Sequence, residues 1–411
     1  MRSLLLAALV ALLLVPAGLA APPGAEVRFA TFNASLNRSA EGQLRQHLSD
    51  PSADTVFVRQ AKNVAEVVQR IRPDVLLINE FDFDPVARDL FRDNFLAVSQ
   101  NGAAPIRYQY SHIAPSNTGV PSGHDLDNNG SVGGPNDAFG FGFFPGQFGM
   151  VVYSRFPIDP LGVRTFQHFL WRDMPGALLP VDPATGESWY SPEELDVFRL
   201  SSKSHWDIPM RIKKATVHFL VSHPTPPVFD GDEDRNGTRN HDEIRLWADY
   251  ITPASSGYIY DDAGRHGGLG AGELFVIAGD QNSDPLDGDS IPGSIQQLIE
   301  HPLVNVEETP ESDGAKEAAR LQGGANNSHL SDPKFDTADF NDFAPGNLRA
   351  DYVLPSSALA IRDSAVFWPE LEDPLSRLTG VFNSAVWGPV GGFPTSDHRA
   401  VWVDVAVPQA N

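Results

Sequence analysis

The residues in this sequence that could do chemistry stand at the ends of short apolar runs. In "VIAGDQNSDP" (276–285), four apolar or small residues lead directly into Asp280, Gln281 and Asn282. Side chains two positions apart on an extended chain point the same way, so Asp280 and Asn282 could both reach one ligand. A turn is the alternative interpretation, because acids and amides after a strand commonly begin turns or cap helices.

The same residue types recur at the ends of other apolar runs. The full set of acids, amides and imidazoles is Asn33, Glu80, His223, Asp280 with Asn282, Asp351, and Asp397 with His398. Any one of them is weak evidence for a site. Together they offer oxygen ligands and imidazoles at one edge of a predicted sheet, which is where α/β folds place their binding sites.

Hydrophobic periodicity predicts the elements that must position these residues. Apolar runs predict strands within 26–35, 72–80, 148–158, 212–224, 273–282, 349–357 and 397–407. Helical spacing predicts helices over 64–71, 240–251 and 294–304. Segments 101–148 and 165–210 lack periodicity and are interpreted as long insertions that line or cover the site. One catalytic domain, residues 21–411, is the predicted organisation.

The first twenty residues predict export. The stretch "MRSLLLAALVALLLVPAGLA" has an early Arg, a short apolar run and small residues at its end, which is typical of a signal peptide cut after Ala20. A retained anchor is the alternative, and the run is too short to span a bilayer comfortably. The mature chain is therefore expected to be secreted or periplasmic, with no stable membrane span.

Composition narrows the classes of function. The chain has 53 acidic and 30 basic residues, a formal charge of −23, which opposes tight non-specific binding to nucleic acid and favours cation binding. It contains no cysteine, which excludes disulfides and thiolate zinc sites.

Seven short motifs carry a resemblance to a known superfamily. They are "TFN" (31–33), "NE" (79–80), "VVYSRFPI" (151–158), "SHP" (222–224), "GDQN" (279–282), "RADYVL" (349–354) and "SDHRAV" (396–401). In this order the sequence resembles the endonuclease/exonuclease/phosphatase superfamily, as a secreted bacterial-type member. The resemblance implies a DNase I-like α/β fold, a four-layer α/β sandwich of two packed mixed β-sheets flanked by helices. Asn79 and Gln281 depart from the residues common in the family.

The resemblance also implies roles for the strand-terminal residues. Glu80, helped by Asn33, would hold Mg²⁺ or Mn²⁺, and Asp397 could ligate a second ion. Asp280 would orient or deprotonate the attacking water, and Asn282 would donate to the phosphoryl group.

Two imidazoles complete the implied catalytic set. His398 would act at the same phosphate or as a base, oriented by Asp351. His223 would donate to a non-bridging oxygen or assist the leaving group.

A separate motif predicts a calcium loop. The segment "DEDRNGTRNHDE" (232–243) matches the D-x-[DN]-x-[DN]-G-x5-E pattern through Asp232, Asp234, Asn236, Gly237 and Glu243, ahead of a helix predicted to begin near Asn240. A polar loop that caps this helix is the alternative. The segment "DLDNNG" (125–130) starts similarly but has Asn136 at the closing position.

A small cluster of cations offers a further candidate site. Lys203, His205 and Arg211 in "SSKSHWDIPMRI" (201–212) could bind substrate phosphate, although a mixed surface segment is the alternative.

These observations lead to one functional hypothesis and one alternative. The chain is predicted to be an exported, divalent-metal-dependent phosphoester hydrolase, with Mg²⁺ or Mn²⁺ and a calcium ion as candidate cofactors. Its substrate is a nucleic acid or a small phosphate ester, and no protein partner is indicated. The alternative is a non-catalytic secreted calcium-binding protein with a degenerate hydrolase site.

Overall fold

The computed structural model of the chain describes residues 25–408, so the predicted signal peptide, residues 1–20, lies outside the described residues. The strands are β1 Ala25–Asn33, β2 Val75–Asn79, β3 Tyr110–His112, β4 Met150–Ser154, β5 Arg164–Thr165, β6 Trp206–Ile212, β7 Ala215–Val221, β8 Leu274–Asp280, β9 Ala338–Asp339, β10 Asn347–Leu348, β11 Asp351–Pro355, β12 Ala360–Val366 and β13 Val401–Val407. The α-helices are α1 Gln43–Ser49, α2 Val56–Ile71, α3 Pro85–Phe91, α4 Pro192–Leu195, α5 Arg235–Tyr250, α6 Gln296–Ile299, α7 Asp313–Gln322, α8 Ser376–Thr379 and α9 Ser384–Trp387.

Short 3-10 segments and one π-helical segment complete the helical structure of the described residues. The 3-10 segments are Pro135–Asp137, Trp171–Asp173, Ser256–Tyr258, Gly324–Ser328, Pro333–Phe335 and Gly388–Val390, and the π-helical segment is Arg92–Leu96. Within residues 25–408, no helix combines the length and apolar character that crossing a bilayer requires.

Two mixed sheets form the centre of the fold. The first has the strand order β12-β13-β1-β2-β4-β3, and the second has the order β11-β8-β7-β6-β5. The pairs β1–β2 and β7–β8 are parallel, and the other neighbours within these sheets are antiparallel. Strands β9 and β10 pair separately as a small antiparallel ribbon.

Three hydrophobic layers hold the sheets and helices together. Phe29 of β1 and Phe219 of β7 meet in the layer between the two sheets. Alternate residues of β1, such as Phe32, point outward and pack against α2. Helix α5 covers the outer face of the second sheet through Ile244 and Trp247. The order of layers is therefore helix, sheet, sheet, helix, which confirms the predicted four-layer sandwich.

Helix α2 shows how the local sequence sets these layers. Thr55 caps its first turn by accepting a hydrogen bond from the Val58 backbone N–H. Buried residues such as Val64 and Val68 face the sheet at helical spacing. The helix ends at Ile71 because Pro73 cannot continue it.

Several predicted boundaries were wrong. Helix α5 begins at Arg235 rather than near Asn240, and the helix predicted over 294–304 is only the four residues of α6. The strand predicted over 212–224 is β7, which spans only Ala215–Val221, because Ile212 is the last residue of β6 and a tight turn separates the two strands. Strand β6 lies largely within the segment interpreted as irregular, since Pro209 in its centre weakens the strand signal.

The topology brings the candidate site residues to one edge. Parallel strands β7 and β8 end there, while β11 and β13 begin there because they run antiparallel to β8 and β1. Asp351 is paired with Asp280 at this edge. The prediction that Asp351, Asp397 and His398 end their apolar runs was therefore wrong, since all three stand where strands begin.

A buried acid gives the fold a testable pH dependence. Asp336 is 1% exposed, and its Oδ1 atom has no hydrogen-bond partner among the described residues. Burial, with the charges of Asp284, Asp287 and Asp332, raises the pKa of Asp336 from 3.8 to about 8. Because the folded pKa lies above the unfolded one, ionisation favours the unfolded chain, and the contribution of Asp336 to stability should fall as pH rises from about 4 to about 8.

We expect Asp336→Asn to raise the free energy of unfolding at pH 8 by on the order of 1–3 kcal/mol, with a much smaller gain near pH 4. Denaturant unfolding of both proteins at the two pH values measures this. Glu372→Gln, at an exposed acid, is the control and should show no such pH-dependent gain. An equal gain for Asp336→Asn at both pH values would contradict the ionisation argument.

Candidate active site

Asp280 lies at the centre of a cluster that both sheets contribute to. Its Oδ2 atom accepts a hydrogen bond from Asn33 Nδ2 at 3.0 Å and lies 3.3 Å from His223 Nε2 and 3.6 Å from His398 Nε2. Burial acts to raise the pKa of Asp280, but His398 and His223 outweigh it and hold that pKa below its usual value. The carboxylate is therefore ionised and can accept hydrogen bonds.

His398 stands between two carboxylates. Its Nδ1 atom lies 2.8 Å from Asp351 Oδ2, which also accepts a hydrogen bond from Thr337 Oγ1 at 2.9 Å. Burial acts to lower the pKa of His398, but Asp351 and Asp280 outweigh it and raise that pKa well above its usual value. The pair of carboxylates thus fixes the orientation of the ring, with Nε2 toward Asp280.

His223 follows β7, and its surroundings favour the neutral form of its imidazole. It is buried, and burial together with the charge of Lys203 lowers its pKa to about 4. Its Nδ1 atom has no hydrogen-bond partner among the described residues. One ring nitrogen therefore faces Asp280 while the other is available to another group.

Glu80 follows β2 and is partly exposed in the cavity above the strand ends. Its two carboxylate oxygens accept hydrogen bonds from Asn33 Nδ2 at 3.2 Å and Asn37 Nδ2 at 2.8 Å. Burial, followed by the charge of Asp397, raises the pKa of Glu80 to about 6. Within residues 25–408, no lysine or arginine side chain pairs with Glu80.

This environment fits a divalent cation. Burial and the charge of Asp397 disfavour the ionised form of Glu80, and His398 offsets them only in part, so a bound cation would stabilise the Glu80 carboxylate. Carboxylate and amide oxygens are the ligands that Mg²⁺ and Mn²⁺ prefer. Glu80 and Asp397, which both line the cavity, could therefore hold such an ion. The Asn33 side-chain nitrogen bridges Glu80 and Asp280.

A different triplet at this edge has three ligand-type atoms close together. Atoms of Asp280, Asp351 and His398 lie within 4.8 Å of one another. The hydrogen bond between His398 and Asp351 explains this proximity, so we interpret the triplet as a positioned imidazole rather than as an ion site.

Asn282 lies in a turn and also lines the cavity, so the segment is both the turn and the site edge between which its sequence left a choice. Its φ of 51° is left-handed, so the extended geometry expected from the spacing ends at Asp280. Asp280 Oδ1 accepts a hydrogen bond from the Asn282 backbone N–H at 2.9 Å, which closes a turn. Asn282 still lines the cavity, and its Nδ2 atom donates to the Pro224 carbonyl at 3.1 Å.

Gly279 permits the close packing of β7 and β8 behind Asp280. Its φ is 149°, and a Cβ atom there would lie 2.0 Å from the Ser222 carbonyl oxygen. No side chain can be accommodated at this distance.

Of the three cations proposed to bind phosphate, one reaches the cavity. Lys203 is buried beside Asp280, its Nζ donates to the Pro224 carbonyl at 3.3 Å, and burial lowers its pKa. The prediction for His205 was wrong, because Ser201 and the Glu243 carbonyl occupy its two ring nitrogens at 2.7 and 2.9 Å. The prediction for Arg211 was also wrong, because this side chain is exposed at the end of β6, remote from the edge where the site lies.

The predicted calcium loop is not formed. Helix α5 starts at Arg235, so Asn236 lies in a helical turn instead of an ion-binding loop with Asp232 and Asp234. Both Glu243 oxygens accept backbone hydrogen bonds at 2.6 Å, from Ser202 and Thr225. Glu243 thus anchors two loops beside the site and does not close a calcium shell.

The weaker acidic segment does form a cluster. Ligand-type oxygens of Asp125, Asp127 and Asp137 lie within 4.8 Å of one another. The third acid is Asp137, not the expected closing residue Asn136. Backbone N–H groups and the Asn136 amide donate to these carboxylates, so hydrogen bonds within the loop explain the cluster.

Sequence reasoning missed residues that position the site. Thr337 donates to Asp351, but it lies in an irregular stretch with no motif of its own. Asn79 Oδ1 accepts from the Asp280 backbone N–H at 3.3 Å and so joins the two sheets. The sequence feature that could have indicated this role is that Asn79 is a polar residue in an apolar run, directly before Glu80. Asn37 donates to Glu80 from a segment without periodicity.

The cluster opens into a cavity of about 1110 Å³. Glu80, His223, Asp280, Asn282, Asp397 and His398 line it. The segments 101–148 and 165–210 contribute to its wall through residues such as Phe148 and Phe198.

One family model matches most of this chain. The model of the "Endonuclease/Exonuclease/phosphatase family" matches residues 30–398. No curated protein matches the sequence. Among solved structures, an endonuclease/exonuclease/phosphatase from Beutenbergia cavernae DSM 12333 is 15% identical, with 94% of this chain and 72% of that chain covered and a TM-score of 0.48.

Two further solved structures are similar. An endonuclease/exonuclease/phosphatase family protein from Leptotrichia buccalis C-1013-b is 13% identical, with 93% of this chain and 100% of that chain covered and a TM-score of 0.43. Sphingomyelinase C from Streptomyces griseocarneus is 15% identical, with 92% of this chain and 99% of that chain covered and a TM-score of 0.43.

Proposed function

Because the chain belongs to the endonuclease/exonuclease/phosphatase family, we propose that it is a divalent-metal-dependent phosphoester hydrolase that is exported from the cell. The observation that carries the proposal is the convergence on the Asp280 carboxylate of Asn33 from one sheet and His223 from the other, with His398 beside them. The signal-peptide pattern of residues 1–20 supports export.

Asp280 is the residue that orients the attacking water. Its pKa is held below the usual value, so its carboxylate is ionised near neutral pH and accepts a hydrogen bond from the nucleophile. So low a pKa favours orientation of the water over full removal of its proton.

The remaining residues bind and polarise the phosphate. His398, held by Asp351, donates from Nε2, and Lys203 presents an ammonium group that has one backbone acceptor among the described residues. A divalent cation held by Glu80 and Asp397 would supply positive charge that stabilises the transferred phosphoryl group. Hydrolysis of a phosphoester requires mainly that the phosphate and the attacking water are positioned and that the negative charge of the phosphate is neutralised.

Metal removal tests the proposal. We expect exhaustive chelation to lower the rate of bis-p-nitrophenyl phosphate hydrolysis by roughly 100-fold or more, and Mg²⁺ or Mn²⁺ to restore it. Glu80→Gln keeps the size of the side chain but removes its charge, so it should raise the metal concentration needed for half-maximal rate by roughly 10-fold or more.

Parallel assays with p-nitrophenyl phosphate and plasmid DNA decide among monoesterase, diesterase and nuclease activity. Full rate after chelation would contradict metal dependence. No turnover of any substrate with Mg²⁺, Mn²⁺ or Ca²⁺ would contradict the hydrolase proposal and favour a binding protein.

A further inference from the structure

The walls of the cavity above Asp280 are largely apolar. They include Phe141, Phe148, Tyr190, Phe229, Phe340 and Pro389. A volume of about 1110 Å³ is as large as the pockets that hold drug-sized ligands, and far more than one phosphate group needs. Resting on the proposed hydrolase function, we propose that the substrate is a phosphodiester that carries a bulky aliphatic or aryl group, which these walls bind.

Two of the aromatic side chains in these walls are exposed rather than packed in the core. Phe229 is 86% exposed and Phe141 is 49% exposed, although both line the cavity. The rings of Phe141 and Phe148 are 6.4 Å apart, so they form one continuous apolar surface. Exposed apolar surface that is grouped around a reactive centre marks a binding site more often than isolated exposed residues do.

The backbone is strained at the same walls. Ten non-glycine residues of the described chain have positive φ, and five of them line this cavity: Ser35, Glu80, Phe148, Phe229 and Asn282. Phe148 and Phe229 have φ of 56° and 70°, and bulky residues rarely adopt such values. Strain of this kind persists where it positions groups for function. Here it holds two phenyl rings at the mouth of the site.

The charges in the walls oppose a polyanionic substrate. Among the described residues that line the cavity, the lysine and arginine side chains are Lys203, Arg235 and Arg239, and the imidazole of His398 already lies between Asp351 and Asp280. Arg235 is paired with Glu233, and Arg239 donates to backbone carbonyls of three residues including Leu200. A nucleic acid strand needs several free cations for the phosphates next to the scissile one. The cavity therefore suits one phosphate and an apolar alcohol.

A series of diesters with one leaving group tests the proposal. Methyl, hexyl and thymidine-5′ p-nitrophenyl phosphates all release p-nitrophenol, so their kcat/KM values differ only through the second alcohol. With Mg²⁺ or Mn²⁺, we expect kcat/KM for the hexyl ester to exceed that for the methyl ester by about 10-fold or more, because the walls bury its methylene groups. The thymidine ester should lie below the hexyl ester.

Variants of the cavity walls test whether these walls cause the preference for the hexyl ester. Phe141→Ala with Phe229→Ala should lower the hexyl-to-methyl ratio by about 5-fold or more. Leu161→Ala is the matched control, because Leu161 is 88% exposed in the loop after β4, away from the cavity, and it should leave the ratio unchanged. An unchanged ratio in the Phe variant would overturn the assignment of these walls.

The outcomes separate this proposal from the one it rests on. Turnover with equal kcat/KM for the methyl and hexyl esters, or preference for the thymidine ester, overturns the apolar substrate class while hydrolysis stands. No turnover of any ester overturns the hydrolase function itself.

The apolar group could belong to a free ester or to a membrane lipid. The dodecyl ester, assayed free and dispersed in phosphatidylcholine vesicles, distinguishes these sources. A higher rate on vesicles supports a membrane lipid, and a higher rate on free molecules supports a soluble ester.

Discussion

Asp280→Asn is expected to lower kcat for phosphodiester hydrolysis by roughly 1000-fold or more, although the side chain keeps its shape. The wild-type Oδ2 atom faces donors on Asn33, His223 and His398. An amide presents one acceptor oxygen and two N–H donors, so it cannot serve these contacts and also accept a hydrogen bond from the attacking water. The loss should appear in kcat more than in KM, because water is oriented only for the reaction.

Initial rates on bis-p-nitrophenyl phosphate at saturating Mg²⁺ or Mn²⁺ measure this effect. Asp280→Ala should show a loss of at least similar size. His168→Ala is a control at an exposed histidine and should retain the wild-type rate. Thermal unfolding of each variant separates lost catalysis from lost folding, and a folded Asp280→Asn protein with the wild-type kcat would refute the assigned role.

The site residues that could be predicted from the sequence are those that stand at the ends of strands. Asn33, Glu80, His223 and Asp280 each close an apolar run, and the edge at which parallel strands end collects them. The direction of the later strands was not predictable in this way. Asp351 precedes its strand, and only the antiparallel pairing with β8 reveals that it meets the same edge.

Local motifs failed where tertiary contacts decided the outcome. The pattern of 232–243 predicts a calcium loop, but helix α5 already begins at Arg235, and the buried Glu243 accepts hydrogen bonds from two backbone N–H groups instead of closing an ion shell. His205 stands two residues from Lys203, yet it lies in the core against Trp247. The local composition does not distinguish Lys203 from His205. Their side chains lie in different places because of the path that the chain takes into β6.

The walls of the cavity were the least predictable feature. Phe148 and Phe229 come from separate irregular segments, and both adopt positive φ. Hydrophobic periodicity carries no information in such segments, and positive φ is not expected for phenylalanine. The resemblance to a family implied the phosphate chemistry, whereas the apolar surroundings of the site became evident only in the folded structure.

The second large effect concerns His398 and the residues that hold it. We expect His398→Ala to lower kcat by roughly 1000-fold and Asp351→Asn by roughly 100-fold, since Asp351 acts by orienting the imidazole and stabilising its charge. Thr337→Val removes the hydrogen bond from Thr337 Oγ1 to Asp351 Oδ2, together with those that Oγ1 accepts from the Ala350 and Asp351 backbone N–H groups, and should cause a smaller loss, of roughly 10-fold or less.

The double variant is the sharper measurement. If Asp351 works through His398, then Asp351→Asn combined with His398→Ala should be no slower than His398→Ala, because the carboxylate has no ring left to orient. If the loss in the double variant were instead the product of the two single losses, Asp351 would have a separate role, for example as a ligand in the close triplet with Asp280. That result would overturn our interpretation of the triplet as a positioned imidazole and would favour an ion bound there. The double-variant cycle therefore decides between the two chemistries that this edge of the sheets can support.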